Sequence, residues 1–341
     1  MSKAERLSNI ELLRIVAMFL VLVVHSDFFS LSAPTSMEIA NSPMQSYVRI
    51  FIESFSIVCV NVFVMISGWF GIRPRLKNIS SFLYQCIFFL FGIYFLSILL
   101  GKESFSKDGL QYCFLLQPWN WFIKAYLFLL ILSPVLNLFI ANVRKETAIV
   151  VIFFFFLFQS IYGWYFDSVN WFAGGYYTIS FIGLYLLMQY KRKYMKLKKL
   201  SSIVYFSSFL STSIFLTILF VVFEGKRDIV FMYNNPLVIF SSYCFFMTFE
   251  RMKIKNKIVN LIASSSFAVF LLHTNPFVCK PYFVPFIQRL YSDYSGIECI
   301  GNILIFLIVV FIFAVFIDQF RKFSFNKVIL PILALYDKNP Q

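Results

Sequence analysis

The chain has 341 residues, of which 60% are hydrophobic and 13% are charged, and its formal net charge is +14. Soluble domains carry about 25% charged residues, so the composition excludes a soluble globular protein and predicts an all-α polytopic integral membrane protein. The positive charge does not indicate nucleic-acid binding, because Lys and Arg occur in short runs between apolar segments rather than in a folded basic domain.

Ten segments are apolar over about the 20 residues that a membrane-spanning helix needs. The first is interpreted as a retained helix rather than a signal peptide, because it is long, contains Glu11 and Arg14, and is followed by further spans. With no soluble insert visible, residues 1–341 are expected to form a single transmembrane domain. The predicted spans are 10–29, 50–72, 82–100, 119–140, 147–163, 171–190, 202–223, 232–249, 261–279 and 299–318.

The distribution of Lys and Arg between the predicted loops gives the orientation. If the N-terminus is cytoplasmic, 21 of the 30 Lys and Arg residues fall in cytoplasmic loops or termini, 7 fall in the opposite loops and 2 lie within spans. Arg49 is among the seven, whereas Arg321, Lys322 and the run "KRKYMKLKK" belong to the cytoplasmic set. Cytoplasmic loops of membrane proteins are enriched in Lys and Arg, so ten spans with both termini cytoplasmic are predicted.

The first span, "NIELLRIVAMFLVLVVHSDFF", carries charges that are costly inside a membrane. Arg14 and His25 are eleven residues apart, which places them about 20° apart around a helix and about 16 Å apart along it. Glu11 precedes Arg14 by three residues, within reach of a salt bridge. A functional role is favoured for His25, although Arg14 could instead snorkel to the headgroups. Asp27, about 200° from His25 around the helix, lies off this stripe.

Two further titratable residues are predicted at a depth similar to that of His25. His273, the second of two histidines in the chain, lies in the ninth predicted span, and Lys124 lies about a turn into the fourth. Two simpler interpretations remain open: His273 as a hydrogen-bonded packing residue, and Lys124 as a residue that snorkels outward.

Several other side chains have a structural interpretation. Asn61 is expected to hydrogen-bond between helices, with Ser67 and Gly68 allowing close approach. Trp119 and Trp121 are typical of the aromatic belt at a membrane surface. The six cysteines show no metal-ligand spacing and no CxxC motif, so no metal is expected. A bridge among Cys113, Cys279 and Cys299 stays an open alternative.

The titratable residues suit acid–base chemistry. Imidazole titrates near neutrality and can take a proton from a hydroxyl and return it. The chain has no GxSxG, metal triad or P-loop motif, so the sequence lacks the motifs of a hydrolase, a metalloenzyme or an ATPase. Arg73 and Arg75, between the second and third spans, could hold donor phosphates in bidentate contacts.

Four segments, in order, carry a resemblance to a known family. "IELLR" followed by His25 resembles the first-span signature of the membrane acyltransferase family 3. "NVFVMISGWFGIR", "WFIKAYLFLLILSPVLN" and "SSSFAVFLLHTNP" are similar to three later motifs of that family, so the resemblance covers essentially the whole chain.

The resemblance implies an integral membrane O-acyltransferase that moves an acyl group, usually acetyl from cytosolic acetyl-CoA, to the hydroxyl of an extracytoplasmic or lipid-linked glycan. His25 resembles the family's essential histidine and Arg14 its essential arginine. Glu11 stands where Asp is common, Lys124 where Arg is common, and His273 matches the later histidine. Some relatives carry a fused outer hydrolase-like domain, which is not expected here.

These comparisons define the expected site. Catalysis is assigned to His25, Arg14 and Glu11, and acyl-CoA binding to Arg14, Arg73 and Arg75. Acceptor binding is assigned to Lys124, His273, Asn61 and Trp121. The expected partners are the bilayer, acyl-CoA, the glycan acceptor and glycan-assembly proteins, at the plasma or inner membrane. A polysaccharide or lipid transporter, flippase or polymerase is the alternative, since these also have many spans and buried charges.

Overall fold

The computed structural model describes residues 7–195, 200–224 and 227–336, and every regular element in these ranges is a helix. Some of the cations used for the orientation lie outside the described residues, namely Lys3, Arg6, Lys196, Lys198, Lys199, Lys226 and Lys338.

Nineteen α-helices are present in the described part of the chain. Those before residue 200 are α1 Ser8–Ser26, α2 Phe28–Leu31, α3 Ser36–Asn41, α4 Pro43–Ser56, α5 Cys59–Phe70, α6 Leu76–Leu99, α7 Lys107–Cys113, α8 Trp121–Asn142, α9 Lys145–Phe158 and α10 Thr178–Tyr194. The others are α11 Ser202–Val222, α12 Arg227–Val230, α13 Pro236–Glu250, α14 Lys257–Ala263, α15 Ser266–His273, α16 Pro276–Val278, α17 Val284–Asp293, α18 Gly296–Ser324 and α19 Leu330–Tyr336.

Within the described ranges, seven helical segments are long and apolar enough to cross a membrane, and the bent pair Lys257–His273 and Pro276–Asp293 raises the number to eight if it forms one span. The integral membrane class is thereby supported. The shorter helices α10 and α13 overlap two further predicted spans, residues 171–190 and 232–249. The seven segments are Ser8–Leu31, Pro43–Phe70, Leu76–Leu99, Lys107–Asn142, Lys145–Tyr165, Ser202–Val222 and Gly296–Ala334.

The chain divides into two compact units, each assembled from separate stretches of sequence. Unit 1 consists of the described residues within 1–72 and 121–263, and unit 2 of those within 73–120 and 264–341. Unit 1 therefore contains α1–α5 and α8–α14, and unit 2 contains α6, α7 and α15–α19.

In unit 1, α5 and α10 approach closely at Gly68. A Cβ atom at this position would lie 2.5 Å from the carbonyl oxygen of Tyr185, so only glycine fits without a backbone shift. The Tyr185 hydroxyl donates to Asn137 Oδ1 at 2.7 Å and accepts from the Ile72 N–H at 2.8 Å. The predicted close approach at Gly68 is confirmed, and α10 and α8 are tied to the end of α5.

In unit 2, α18 packs against α15, and α6 contacts α15 and α16. Gln319 on α18 donates to the Ser265 hydroxyl at 2.9 Å. The rings of Tyr94 on α6 and Phe277 on α16 are stacked with centroids 4.9 Å apart.

Several of the predicted boundaries are wrong. The second span does not begin at residue 50, because α4 begins at Pro43. The sixth span does not begin at residue 171, because Ala173, Gly174 and Gly175 all have positive φ and break the chain before α10 begins at Thr178. The ninth is not one continuous helix over 261–279, since α15 ends at His273 and a new helix starts at Pro276. The tenth span does not end at residue 318, since α18 continues for six more residues, to Ser324.

Some cations assigned to loops lie inside helices instead. Arg49 lies within α4, and Arg321 and Lys322 lie within α18. Arg49 and Arg321 are buried, and each forms an ion pair with an Asp, which compensates for the loss of water around the charge. All six cysteines are free thiols, so the bridge left open among Cys113, Cys279 and Cys299 is not formed.

Candidate active site

The first helix carries the central pair of site residues. α1 is continuous from Ser8 to Ser26, so Arg14 and His25 share one helix and lie about 16 Å apart along its axis. The Arg14 guanidinium donates to Glu11 Oε2 at 2.8 Å, and the side chains are 29% and 10% exposed. The predicted ion pair at the start of the helix is confirmed.

His25 lies in the last turn of α1 and is half-buried. Its backbone carbonyl accepts a hydrogen bond from the Ser30 hydroxyl, and its ring centroid lies 5.1 Å from that of Phe29. These contacts hold the turn between α1 and α2, where the imidazole is located. A half-buried imidazole at a helix end can both reach a substrate and exchange a proton with it.

A buried ion pair follows His25 directly, and sequence reasoning missed it. Arg49 Nε donates to Asp27 Oδ1 at 2.7 Å, and a second guanidinium nitrogen donates to the Ser32 carbonyl. Glu53, one turn after Arg49 on α4, is only 4% exposed. The spacing of Arg49 and Glu53 by four residues was a signal for one helical face, but the predicted span began after Arg49.

Asn61 and Trp121 meet at Tyr233. Asn61 Nδ2 donates to the Tyr233 carbonyl at 2.9 Å, and Asn61 is 1% exposed. The Trp121 ring stacks on Tyr233 at 6.1 Å and meets Tyr176 edge-on at 4.6 Å. Asn61 thus links α5 to the turn before α13, whereas the sequence predicts a bond to another helix. Trp121 belongs to an aromatic cluster that includes the 45% exposed Tyr176.

Lys124, also in unit 1, lies in the first turn of α8 and is exposed. Its ammonium group is therefore accessible at the end of this helix, as both the acceptor-binding and the snorkelling interpretations require.

Arg73 and Arg75 belong to unit 2 and are exposed. They precede α6, and the Asn78 amide donates to the Arg73 carbonyl at 3.2 Å, which holds the backbone of this short segment. Two exposed guanidinium groups at the start of a helix can bind phosphate oxygens in bidentate fashion.

His273 is the last residue of α15 in unit 2 and is 1% exposed. Its Nδ1 lies 2.6 Å from the Val269 carbonyl oxygen. Because a carbonyl only accepts, Nδ1 carries the proton of this bond, and the neutral ring then has its lone pair on Nε2.

A second buried charge cluster in unit 2 was also missed. Asp318 on α18 is fully buried, accepts two hydrogen bonds from Arg321 at 2.8 and 2.9 Å, and accepts one from Gln85 on α6 at 2.9 Å. Lys322 lies 3.5 Å from Asp318 and donates to the Ser264 hydroxyl at 2.7 Å. The signal for this cluster in the sequence was Asp318, an acidic residue within the tenth predicted span.

Metal ligation is not apparent in the part of the chain that the structure describes, where no group of three or more His, Cys, Asp or Glu residues is close enough to hold an ion. The described site residues therefore provide imidazole, guanidinium, ammonium and carboxylate groups for proton transfer and anion binding.

The fold and these residues define a polytopic helical membrane protein with an arginine and a histidine on its first helix. A family model described as an acyltransferase domain, that of the acyltransferase 3 family, matches residues 7–318. The chain belongs to this family, which makes it a membrane acyltransferase and confirms the resemblance. Neither a curated protein nor a solved structure matches the chain.

Proposed function

We propose that the protein is an O-acetyltransferase that moves acetyl from cytosolic acetyl-CoA to a hydroxyl of an extracytoplasmic or lipid-linked glycan at the cell surface. The observation that carries the proposal is the continuous helix α1, which holds the Glu11–Arg14 ion pair at one end and His25 at the other. Membership of the acyltransferase 3 family supplies the reaction type.

The proposed topology has ten spans with both termini cytoplasmic, in the plasma or inner membrane. Support comes from the loop charges. Of the 30 Lys and Arg residues, 21 fall on the predicted cytoplasmic side, 7 on the opposite side and 2 within the predicted spans. This bias toward one side is the pattern of the positive-inside rule.

In the proposed reaction, the acceptor hydroxyl attacks the thioester carbonyl carbon while His25 takes the hydroxyl proton. A C–O bond forms and the carbonyl oxygen becomes an oxyanion. Lys124 or His273 would stabilise this oxyanion or orient the acceptor. The C–S bond then breaks, the thiolate leaves as CoA, and the proton on His25 passes to the sulfur. The sum is one ester formed, one thioester broken and one thiol released.

The donor is expected to approach from the cytoplasmic end of α1. Arg14, whose side chain is 29% exposed, would contact an acyl-CoA phosphate. The exposed Arg73 and Arg75 are proposed as further phosphate-binding residues. Glu11 would hold the Arg14 guanidinium in place. The pantetheine arm would then extend toward His25 over a distance of about 16 Å.

The acceptor is expected to bind near the aromatic cluster of unit 1. Trp121 and the exposed Tyr176 offer flat faces that suit a sugar ring, and Asn61 fixes the backbone of Tyr233, whose ring contacts both. Lys124 provides an exposed cation on the same helix as Trp121.

The test is transfer of labelled acetyl from acetyl-CoA to endogenous glycan in membranes of the native host, with and without the protein. Arg14→Ala should abolish most labelling, whereas Arg144→Ala, which removes an exposed arginine at the start of α9, should preserve it. Loss of a charged contact to a phosphate should raise the KM for acetyl-CoA. Absence of protein-dependent label, with glycan accumulating on one side of the membrane, would contradict the proposal and favour transport.

A further inference from the structure

Unit 2 contains a cavity of about 620 Å³. Among its described lining residues, only His273 has a role in the proposed reaction. Its walls come from the end of α6, from the segment of α15–α17 and from α18. Apolar side chains dominate these walls, with Phe277, Phe283, Phe286, Phe306 and Phe313 among them. A cavity of this size and composition is suited to a ligand that is mainly hydrocarbon.

The cavity is elongated along α18. Phe306 and Ile317 both line it and are eleven residues apart on this helix, so it extends about 16 Å along the helix axis. The break after His273 forms part of its wall: Asn275 accepts from the Phe277 N–H at 3.1 Å and starts α16. The continuous helix predicted over 261–279 would not have this break.

Cationic side chains line the cavity, and no Asp or Glu does so among the described residues. Lys102 follows the end of α6, and Arg289 lies on α17. Arg289 Nε donates to Asp293 at 3.3 Å, but its side chain is 77% exposed and a guanidinium has further donors for a second anion. Charge complementarity therefore favours an anionic ligand.

We propose that this cavity binds an anionic membrane lipid, with one hydrocarbon chain along α18 and the phosphate between Lys102 and Arg289. The buried His273 lies in the wall beside the chain, and its Nδ1–H is already bonded to the Val269 carbonyl, which limits the polarity that the wall presents. The proposal concerns lipid binding alone, and it shares only His273 with the proposed reaction, where His273 is one of two candidates for contacting the oxyanion or the acceptor.

The composition of the walls argues against other ligands. A sugar would leave several hydroxyl groups against apolar rings without hydrogen-bond partners, which is unfavourable. A coenzyme with several phosphates would need more cations than Lys102 and Arg289 provide. A lipid places its apolar part on the rings and its one phosphate on the two cations.

The test uses the purified full-length protein in nanodiscs of phosphatidylcholine, with a phosphatidic acid that carries a photoreactive diazirine in its acyl chain. Val310→Trp fills the cavity from α18, and Val309→Trp is the matched control, because Val309 is 57% exposed and does not line the cavity. Labelling of residues 277–317 should fall at least about fivefold in Val310→Trp and stay unchanged in Val309→Trp, since filling the cavity removes the space for the chain. Equal labelling of both variants would overturn the proposal.

A second arm tests the headgroup. In the wild-type protein, photoreactive phosphatidic acid should label the cavity more strongly than phosphatidylcholine with the same chain. Replacing Lys102 and Arg289 by Ala should remove this preference, whereas Lys107→Ala, outside the cavity at the start of α7, should retain it. A preference that survives the double substitution, or one that is absent from the wild type, would contradict the anionic assignment.

Discussion

The buried pair of Arg49 and Asp27 gives the sharpest prediction for stability. Arg49→Met keeps an unbranched side chain of similar length but removes the cation. It leaves Asp27, which is 6% exposed, without the donor that lies at 2.7 Å, and it leaves Glu53, which is 4% exposed, without a nearby positive charge. Removing one partner of a buried pair costs about 3–5 kcal/mol, so the free energy of unfolding should fall by about that amount.

The assay is reversible unfolding by SDS in mixed micelles, and the chain offers a matched control. Arg289 and Asp293 form a similar Arg–Asp pair at 3.3 Å, but their side chains are 77% and 50% exposed. Arg289→Met should therefore lower the free energy of unfolding by no more than about 1 kcal/mol. Combining Asp27→Asn with Arg49→Met should cost less than Arg49→Met alone, because one buried charge fewer is then left unpaired.

Equal effects of Arg49→Met and Arg289→Met would refute this reasoning. So would a double variant that is destabilised by the sum of its two single changes, because independent sites add and a coupled pair does not.

Three further predictions concern other parts of the chain. Gly68→Ala should destabilise the protein by about 1–3 kcal/mol, because the new Cβ meets backbone of α10, whereas Gly92→Ala, with open space around it, should be tolerated in the same SDS titration. Hydrogen bonds from Thr35, first from its backbone N–H and to a smaller extent from its hydroxyl, hold the pKa of Glu38 below its ordinary value. This capping-box stability is present above the unfolded pKa and is lost as the pH falls through the folded pKa. The protection factors of the α3 amides against hydrogen exchange should therefore fall at low pH, and Glu38→Gln should remove this pH dependence. Asp318→Leu should cost about 3–5 kcal/mol of unfolding free energy by leaving the Arg321 cation buried.

The membrane class and the first helix could be read from the sequence because both depend on local pattern. A long apolar segment predicts a span whatever surrounds it, and the positions of Glu11, Arg14 and His25 follow from helical geometry alone. The structure accordingly has α1 as one helix with the Glu11–Arg14 contact that the spacing predicts.

The buried ion pairs could not be read in the same way. A charge beside an apolar segment looks like a loop residue, because an unpaired charge in a membrane is costly. Arg49 is instead paired with Asp27, which lies 22 positions earlier, and only the packing of α1 against α4 brings the two together. Their pairing depends on tertiary packing, which a hydropathy profile does not predict.

The break in the ninth predicted span was missed for a related reason. The stretch ending in "HTNP" is apolar enough to be read as continuous, although the residue before a proline is disfavoured in a helix. In the structure, Asn275 caps a new helix at Pro276, and His273 is thereby placed in the wall of the unit 2 cavity. The cavity itself depends on how α6, α15–α17 and α18 come together, which no local pattern predicts.

The most direct test of the proposed chemistry is the rate of CoA thiol release from acetyl-CoA by native-host membranes that carry His25→Ala, with Val23→Ala on the same helix as the control. If His25 is the general base, the rate should fall by about 100-fold or more in His25→Ala and remain near the wild-type value in Val23→Ala, at equal protein levels. A His25→Ala protein that releases CoA and acetylates glycan at the wild-type rate would contradict the account.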